Sequence, residues 1–446
     1  MNGRDTRARE LAAKVVALTK ADQSEVIVAS SDVALTRFAD NRIHQNVSET
    51  DMQVSVRAVL DKRLGVASTN RLDDESLAAC CAAAVASASA SPEDPDFPGL
   101  PSPGDVEDRD RAAEGTLGFD AEARASAARS IIDQSASRNL TAAGAVRVGT
   151  HTLAVANSLG VDAVATTTGL RTTVLSSGSD GGNGWASFTT TDASELAAAA
   201  LGDEAATLAE RSANPGDLDA GQYTVVLGPE AVADIVTFLG YVGFSARAVE
   251  EERSFMSGKI GEKLVSKAVT ITDDALAAYA MGTTFDFEGV PKRRVELIAD
   301  GVATGPVTDS YWAAKTGTIN TGHALPAPNA YGPLPLNLEM TGGENTLDEL
   351  IQRVERGVYV TRFHYTNVED PIPVTLTGMT RDGTFMIEDG KLARPLKNLR
   401  FTQSVIEALG DVRGITADRR FVGSEMGATF VPGLLLGSFS FTGQTN

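Results

Sequence analysis

The stretch Thr284–Gly322, TFDFEGVPKRRVELIADGVATGPVTDSYWAAKTGTINTG, decides how the second half of this 446-residue chain is read. Apolar and β-branched residues flank the pair Asp300-Gly301. Asp-Gly between two strand-like runs favours a tight two-residue turn, so the centre of the stretch is expected to be a β-hairpin.

Working outward, the second half opens with a strand at Gln222–Leu227 and a helix from Pro229 to about Gly240. Proline suits a first helical position because its missing N–H would be an orphan there anyway. After Ser257 the pattern is mostly β. Further hairpins are expected at Asp382-Gly383 and Asp389-Gly390, inside LTGMTRDGTFMIEDGKLARPLKNLRF. Two helices interrupt, at Thr346–Arg356 and Ser404–Leu409. A largely antiparallel sheet or partly closed barrel is expected.

Upstream, Thr6–Thr19 reads as an amphipathic helix with Leu11, Val15, Val16 and Leu18 on its apolar side. Strands follow at Ser24–Ala29, Ala34–Phe38, Ile43–Val47, Met52–Leu60 and Gly65–Thr69, turning at Asp40-Asn41 and Asp61-Lys62-Arg63. Asp73 caps a long helix to about Ala90, since a short acceptor side chain can bond the orphan N–H groups. The five prolines of Ser91–Gly104, SPEDPDFPGLPSPG, exclude both helix and inner strand, so an extended surface loop is expected. A helix at Asp120–Ser137, strands at Ala142–Leu153, Asp162–Ser176 and Gly184–Thr190, and a helix at Ala193–Arg211 complete this half. The polar run Ser212–Gly221 marks a boundary. The expectation is an α+β protein of two domains: a helix and sheet domain over residues 1–215, and a mostly β domain over 220–446.

Composition narrows the function classes. The formal net charge of −20 argues against nucleic acid, whose binding needs a positive footprint. No apolar run reaches the ~18 residues of a membrane span, and the charged N-terminal turns do not resemble a signal peptide. A cytoplasmic location is expected. Cys80 and Cys81 are adjacent in an alanine-rich run and read as small core residues rather than a disulfide.

A zinc site needs three or four converging His, Cys or carboxylate ligands. The four histidines, His44, His151, His323 and His364, lie far apart in sequence, and there is no HExxH. His364 sits in VTRFHYTNVEDP with Arg362, Glu369 and Asp370 nearby. As alternate strand residues, Arg362 and His364 share one face. They form either a cleft wall or a half-buried pair bonded to backbone. His323 follows a glycine in a Pro-rich loop and reads as a surface residue. The glycine-rich Ser177–Gly184 lacks phosphate-loop spacing and reads as a loop between strands.

The block E-G-V-P-x-R-R, D-G-V and Tyr311-Trp312-Ala313-Ala314-Lys315, closing in T-G, resembles the TldD/PmbA family. So do, in the same order along the chain, Arg37–Thr50, Val56–Leu77, Ser257–Leu264 and Gly357–Phe401. That family contains zinc peptidases and subunits without the zinc motif. Its active members carry HExxxH on a helix ahead of the segment similar to SGKIGEKL, and a later cysteine ligand. Counting back from Ser257 puts the two histidine positions at Thr237 and Val242; a shifted register puts them at Pro229 and Asp234. The cysteine region here reads Ser424 to Met426.

This departure resembles the TldE (PmbA) branch. The resemblance implies a non-catalytic subunit that pairs with a TldD-like HExxxH paralogue in a heterodimer, encloses a proteolytic chamber and helps hold unfolded or small peptides. It implies no cofactor on this chain and zinc on the partner. Arg362, His364, Tyr365 and His323 are the candidates for lining a peptide cleft. The alternatives are a self-sufficient hydrolase with a site around His364, Glu369 and Asp370, or a homodimeric peptide-binding protein.

Overall fold

The computed structural model describes residues 3–107, 109, 111–424 and 427–444. Of the positions singled out for the cysteine ligand, Glu425 and Met426 lie outside the described residues, as does the side chain of Ser424.

The first half contains α1 (Gly3–Leu18), β1 (Gln23–Ala39), β2 (Arg42–Leu60), β3 (Arg63–Thr69), α2 (Asp74–Ala90), the single turn α3 (Glu114–Leu117), α4 (Ala121–Ala136), β4 (Thr141–Asn157), β5 (Asp162–Ser177), β6 (Asn183–Thr190) and α5 (Ala198–Arg211). One antiparallel sheet runs β3-β2-β1-β4-β5-β6. The same unit, a helix, a three-stranded meander and a helix, occurs twice: α1 to α2, and α4 to α5. The two copies meet along β1 and β4 at the sheet centre.

The strands are longer than expected. Ser24–Ala29 and Ala34–Phe38 are one strand, β1, because the polar residues between them stay paired to β2 on one side and β4 on the other. The β1–β2 turn does fall at Asp40-Asn41, both at positive φ. On one sheet face, Val26, Val28, Val54 and Val56 pack against Ala8, Ala12 and Val15 of α1 and Leu77, Ala84 and Ala88 of α2. Of the expected apolar side of α1, Leu11, Val15 and Val16 pack on this layer and Leu18 is exposed. Small residues let the layers approach closely: a Cβ on Gly65 would lie 2.1 Å from the Ala88 backbone nitrogen. Cys80 and Cys81 are buried, free thiols in this layer. Asp73 caps α2 through the Ser76 N–H, at 2.9 Å.

The second half contains β7 (Gly221–Leu227), α6 (Pro229–Gly243), α7 (Ala246–Glu250), β8 (Ile271–Asp273), β9 (Val295–Ala299), β10 (Val302–Ala303), α8 (Ser310–Thr316), β11 (Asn337–Met340), α9 (Leu347–Gln352), β12 (Arg356–Asp370), β13 (Thr375–Glu388), β14 (Lys391–Leu396), β15 (Leu399–Ser404), α10 (Val405–Gly410), β16 (Val412–Ser424) and β17 (Gly427–Gln444). Strands β17-β15-β13-β12-β7 close into a ring, because β7 also pairs with β17; β11, β8, β9 and β10 extend the sheet from β17. The architecture is thus α+β with a partly closed barrel, as the sequence pattern implies. Val232, Ile235, Val236 and Leu239 of α6 enter the main core with Val225, Val358, Val360 and Leu434. Stacked Phe363 and Phe439, with Phe401 beside them, fill another part of it.

Asp300 and Gly301 form the expected hairpin between β9 and β10, both at positive φ. Asp389-Gly390 likewise joins β13 to β14. Asp382-Gly383 does not turn the chain. Both residues have positive φ, but they lie inside β13 at a bulge, where the pairing with β12 shifts beside Val360. A bulge needs the same left-handed conformations as a tight turn, so local sequence does not separate the two.

The opening block clamps the halves together. Phe285 is fully buried against Ile27, Val155 and Ala163 on the second face of the first sheet. Beside it, Arg57 Nη2 lies 2.7 Å from Glu25 Oε2 and 3.0 Å from Glu288 Oε1. The proline-rich loop is not purely a surface feature. Phe97 and Leu100 are buried against Val59, and Asp96 pairs with Lys315 of α8 at 2.7 Å.

Candidate functional site

A groove separates the β5–β6 side of the first sheet from the second half. Three cavities of 650, 660 and 310 Å³ form it. Thr189 and Met281 line both of the first two, and Glu204 and Arg420 line both of the last two. The start of α6 forms part of the wall at the smallest.

Helix α6 begins where β7 ends because Gly228 caps it and Pro229 holds its first turn. Glu230 and Asp234, one turn apart, are half-buried on its groove side. Glu230 accepts a hydrogen bond from Ser187 Oγ of β6, across the boundary between the halves. Asp234 accepts one from Thr366 Oγ1 of β12 at 2.9 Å. Burial raises both carboxyls above their ordinary values: Asp234, further raised by the Glu230 charge, to about 6, while Arg362 and the hydroxyl bonds pull the other way. Arg420 adds a positive field at Glu230 from its two-pronged contact with Glu204, at 2.7 and 3.0 Å.

Strand β12 supplies the opposite wall. Arg362 lies 4.2 Å from the centre of the Trp185 ring and is held by Asp382, with Nε 3.0 Å from Oδ2. The bulge that replaces the expected hairpin is what aims Asp382 at Arg362. Trp185, Glu230, Asp234 and Asp382 are the site residues that sequence reasoning passed over. The Glu230/Asp234 spacing was visible, but only as a failed ligand pattern.

The expected site residues divide. Arg362 lies in this cluster. His364 follows on the same strand face, half-buried, its ring 4.5 Å from that of Tyr365. Burial and then the Arg381 and Arg362 charges lower its pKa, so it is neutral near pH 7. Tyr365 is 73% exposed at a bulge and has positive φ. His323 is not a surface residue. It is 1% exposed; its Nε2 meets Asp273 Oδ1 at 2.9 Å and its Nδ1 meets Thr321 Oγ1 at 3.0 Å. The turn-rich context suggested exposure, but the buried Asp273 carboxylate needs this partner. Glu369 and Asp370 lie exposed toward the far end of β12.

Helix α6 carries both candidate registers for a zinc motif. Val242 packs against the main core, so Thr237 and Val242 do not face the groove together. Pro229 and Asp234 flank Glu230 in the other register. This donor set does not fit a zinc ion: Pro229 has no side-chain donor, both carboxylates are engaged by hydroxyls, and three guanidiniums surround them. Among the described residues, no group of three or more His, Cys, Asp and Glu side chains is placed to hold a metal.

Residues 220–443 match the model described as the PmbA/TldA metallopeptidase C-terminal domain, and residues 24–88 match its domain 1. A metalloprotease of Methanothermobacter thermautotrophicus is 29% identical over 224 residues, which are 49% of this chain and 47% of that one. A metalloprotease TldD homolog of Haemophilus influenzae is 32% identical over 172 residues, 38% of this chain and 35% of that one. The chain thus spans about half or less of the length of these curated relatives. The crystal structure of TldE from Thermococcus kodakarensis superposes with a TM-score of 0.88 at 21% identity, covering 97% of this chain and 99% of that one, which establishes a shared fold.

Proposed function

This chain belongs to the PmbA/TldD metallopeptidase family, and from that premise we propose that it is a non-catalytic, TldE-like subunit. It pairs with a TldD-like paralogue that carries HExxxH and the zinc. Together the two enclose a chamber in which unfolded or small peptides are cut. This chain contributes walls and peptide contacts, and the bound metal of the partner polarises the scissile carbonyl.

One observation carries the reading: on α6, the helix ahead of the SGKIGEKL segment, neither register, Thr237 with Val242 or Pro229 with Asp234, offers a histidine pair, and Glu230 is bonded to Ser187. A general base must be free to reach a metal-bound water. Here the carboxylate instead ties the helix to the neighbouring sheet. The groove walls, with Arg362, Trp185 and half-buried His364, remain available for main-chain and side-chain contacts to an extended peptide.

The test uses the purified full chain, alone and mixed with a co-encoded HExxxH paralogue. Native mass spectrometry is expected to show a one-to-one complex. Peptide cleavage sensitive to EDTA is expected only in the mixture. Strong EDTA-sensitive cleavage by this chain alone would refute the proposal.

A further inference from the structure

The groove floor in the 650 Å³ cavity is built in an unusual way. Gly149 and Gly169 stand directly opposite each other on β4 and β5, and the space a side chain would fill there is taken by the His151 imidazole, 2.7 Å from a Gly149 Cβ position, and by the Met281 methyl, 3.0 Å from a Gly169 Cβ position. On one side of the two glycines, Arg147 and Arg171 also face each other directly across the two strands. Like charges in that position repel and destabilise a sheet. Of the two, the Arg171 charge also reaches Glu230.

The opposite wall adds donors. Lys292, from the opening block, is only 8% exposed, yet its ammonium makes no hydrogen bond or ion pair with the described residues. The Asp273 carboxylate lies within its field but is already bound by His323 and by the Asn337 backbone N–H, at 2.9 and 2.7 Å. Asn337 Nδ2, also on this wall, is buried without a partner. The Arg147 guanidinium likewise bonds to none of the described residues. The buried Asn337 amide with no acceptor costs free energy unless something supplies one, and the Lys292 ammonium on the same wall is free to share it.

We propose that this cavity is a carboxylate-binding site, taking the terminal or side-chain carboxylate of a peptide between Lys292, Asn337 and Arg147. A carboxylate has acceptor sites for all three donors, and the volume suits one or two residues of peptide beyond it. The proposal rests on the peptide-handling reading only in taking the ligand to be a peptide.

The test measures fluorescence anisotropy of the full chain with three N-terminally labelled hexapeptides. One has neutral side chains and a free C-terminal acid, the second is its amide, and the third is an amide carrying one glutamate. The acid is expected to bind about tenfold or more tightly than the plain amide, the range of a charge-assisted hydrogen bond. Lys292→Met should abolish that preference, with its melting temperature checking that the chain remains folded. Arg147→Gln, at an exposed position, should reduce the preference several-fold. A glutamate peptide that matches the acid shows that side-chain carboxylates enter as well as chain termini; one that matches the plain amide assigns the site to chain termini. Equal binding of all three peptides, or a preference that survives both substitutions, overturns the proposal. A chain that pairs with the HExxxH paralogue but lacks the acid preference loses this site and keeps its subunit role. A chain with the preference that does not pair keeps the site and loses that role.

Discussion

Replacing Asp234 by asparagine should stabilise the protein at alkaline pH and leave it unchanged in acid. In the folded chain, burial beside Glu230 holds this carboxyl at about 6, against 3.8 for the ordinary group. Between those values the folded state keeps a proton that the unfolded chain has released. Stability therefore falls as pH rises through this window, and the loss is complete above about 6. With each pKa unit equivalent to 1.36 kcal/mol, the shift from 3.8 to about 6 amounts to about 3 kcal/mol, an upper figure for a half-buried group. Asparagine keeps an oxygen for the Thr366 hydroxyl and cannot ionise. Removing the Asp234 charge also relieves Glu230, one turn earlier. Urea unfolding of both proteins between pH 3.5 and 8 reads the difference directly. The expected curve is flat near zero at pH 3.5, rises between 4 and 6, and levels at about 1–3 kcal/mol in favour of the variant. A difference that does not change with pH, or a variant less stable at pH 8, would show that Asp234 is solvated and that the groove is wetter than its geometry implies.

Arg57→Leu should be the most damaging single change at the boundary between the halves. It leaves Glu25 and Glu288 buried together without their cation, at a cost of about 3–5 kcal/mol at pH 8. The loss should shrink toward pH 5, where Glu25 takes up a proton; it already sits at about 7, raised by burial against the pull of Arg57. Gly65→Ala should cost several kcal/mol in thermal unfolding, because its methyl would meet the backbone of α2 at 2.1 Å. Arg362→Ala should shift Trp185 emission and lower stability by about 1–3 kcal/mol, since it strips the ring of its cation and leaves the buried Asp382 only the longer contact to Arg381, at 3.8 Å. If Trp185 emission were unchanged, the contact between Arg362 and the ring would be disproved.

Some of this was open to a reader of the chain alone. Turn pairs such as Asp40-Asn41, Asp300-Gly301 and Asp389-Gly390 fell where the chain reverses, because the left-handed conformations they permit are a local property. The Asp73 cap was legible for the same reason. Strand lengths were not. β1 crosses a polar run that only pairing on both edges keeps extended. His323 looked exposed because nothing near it in sequence reveals Asp273 as its buried partner. Arg362 could be nominated, but Trp185 and Asp382, which hold it, come from another sheet and from a bulge that reads as a turn.

Order and type of the elements, the α+β class and the family were thus written into residue pattern, because periodicity, turn chemistry and long runs of shared segments act locally or along the chain. The ring closure of β7 on β17, the twofold helix–meander–helix build of the first sheet, and the groove with its orphan Lys292 were set only when distant segments met. Burial, field and hydrogen-bond supply belong to places in space, and a lysine shows that it lacks a partner only once the walls around it are in position.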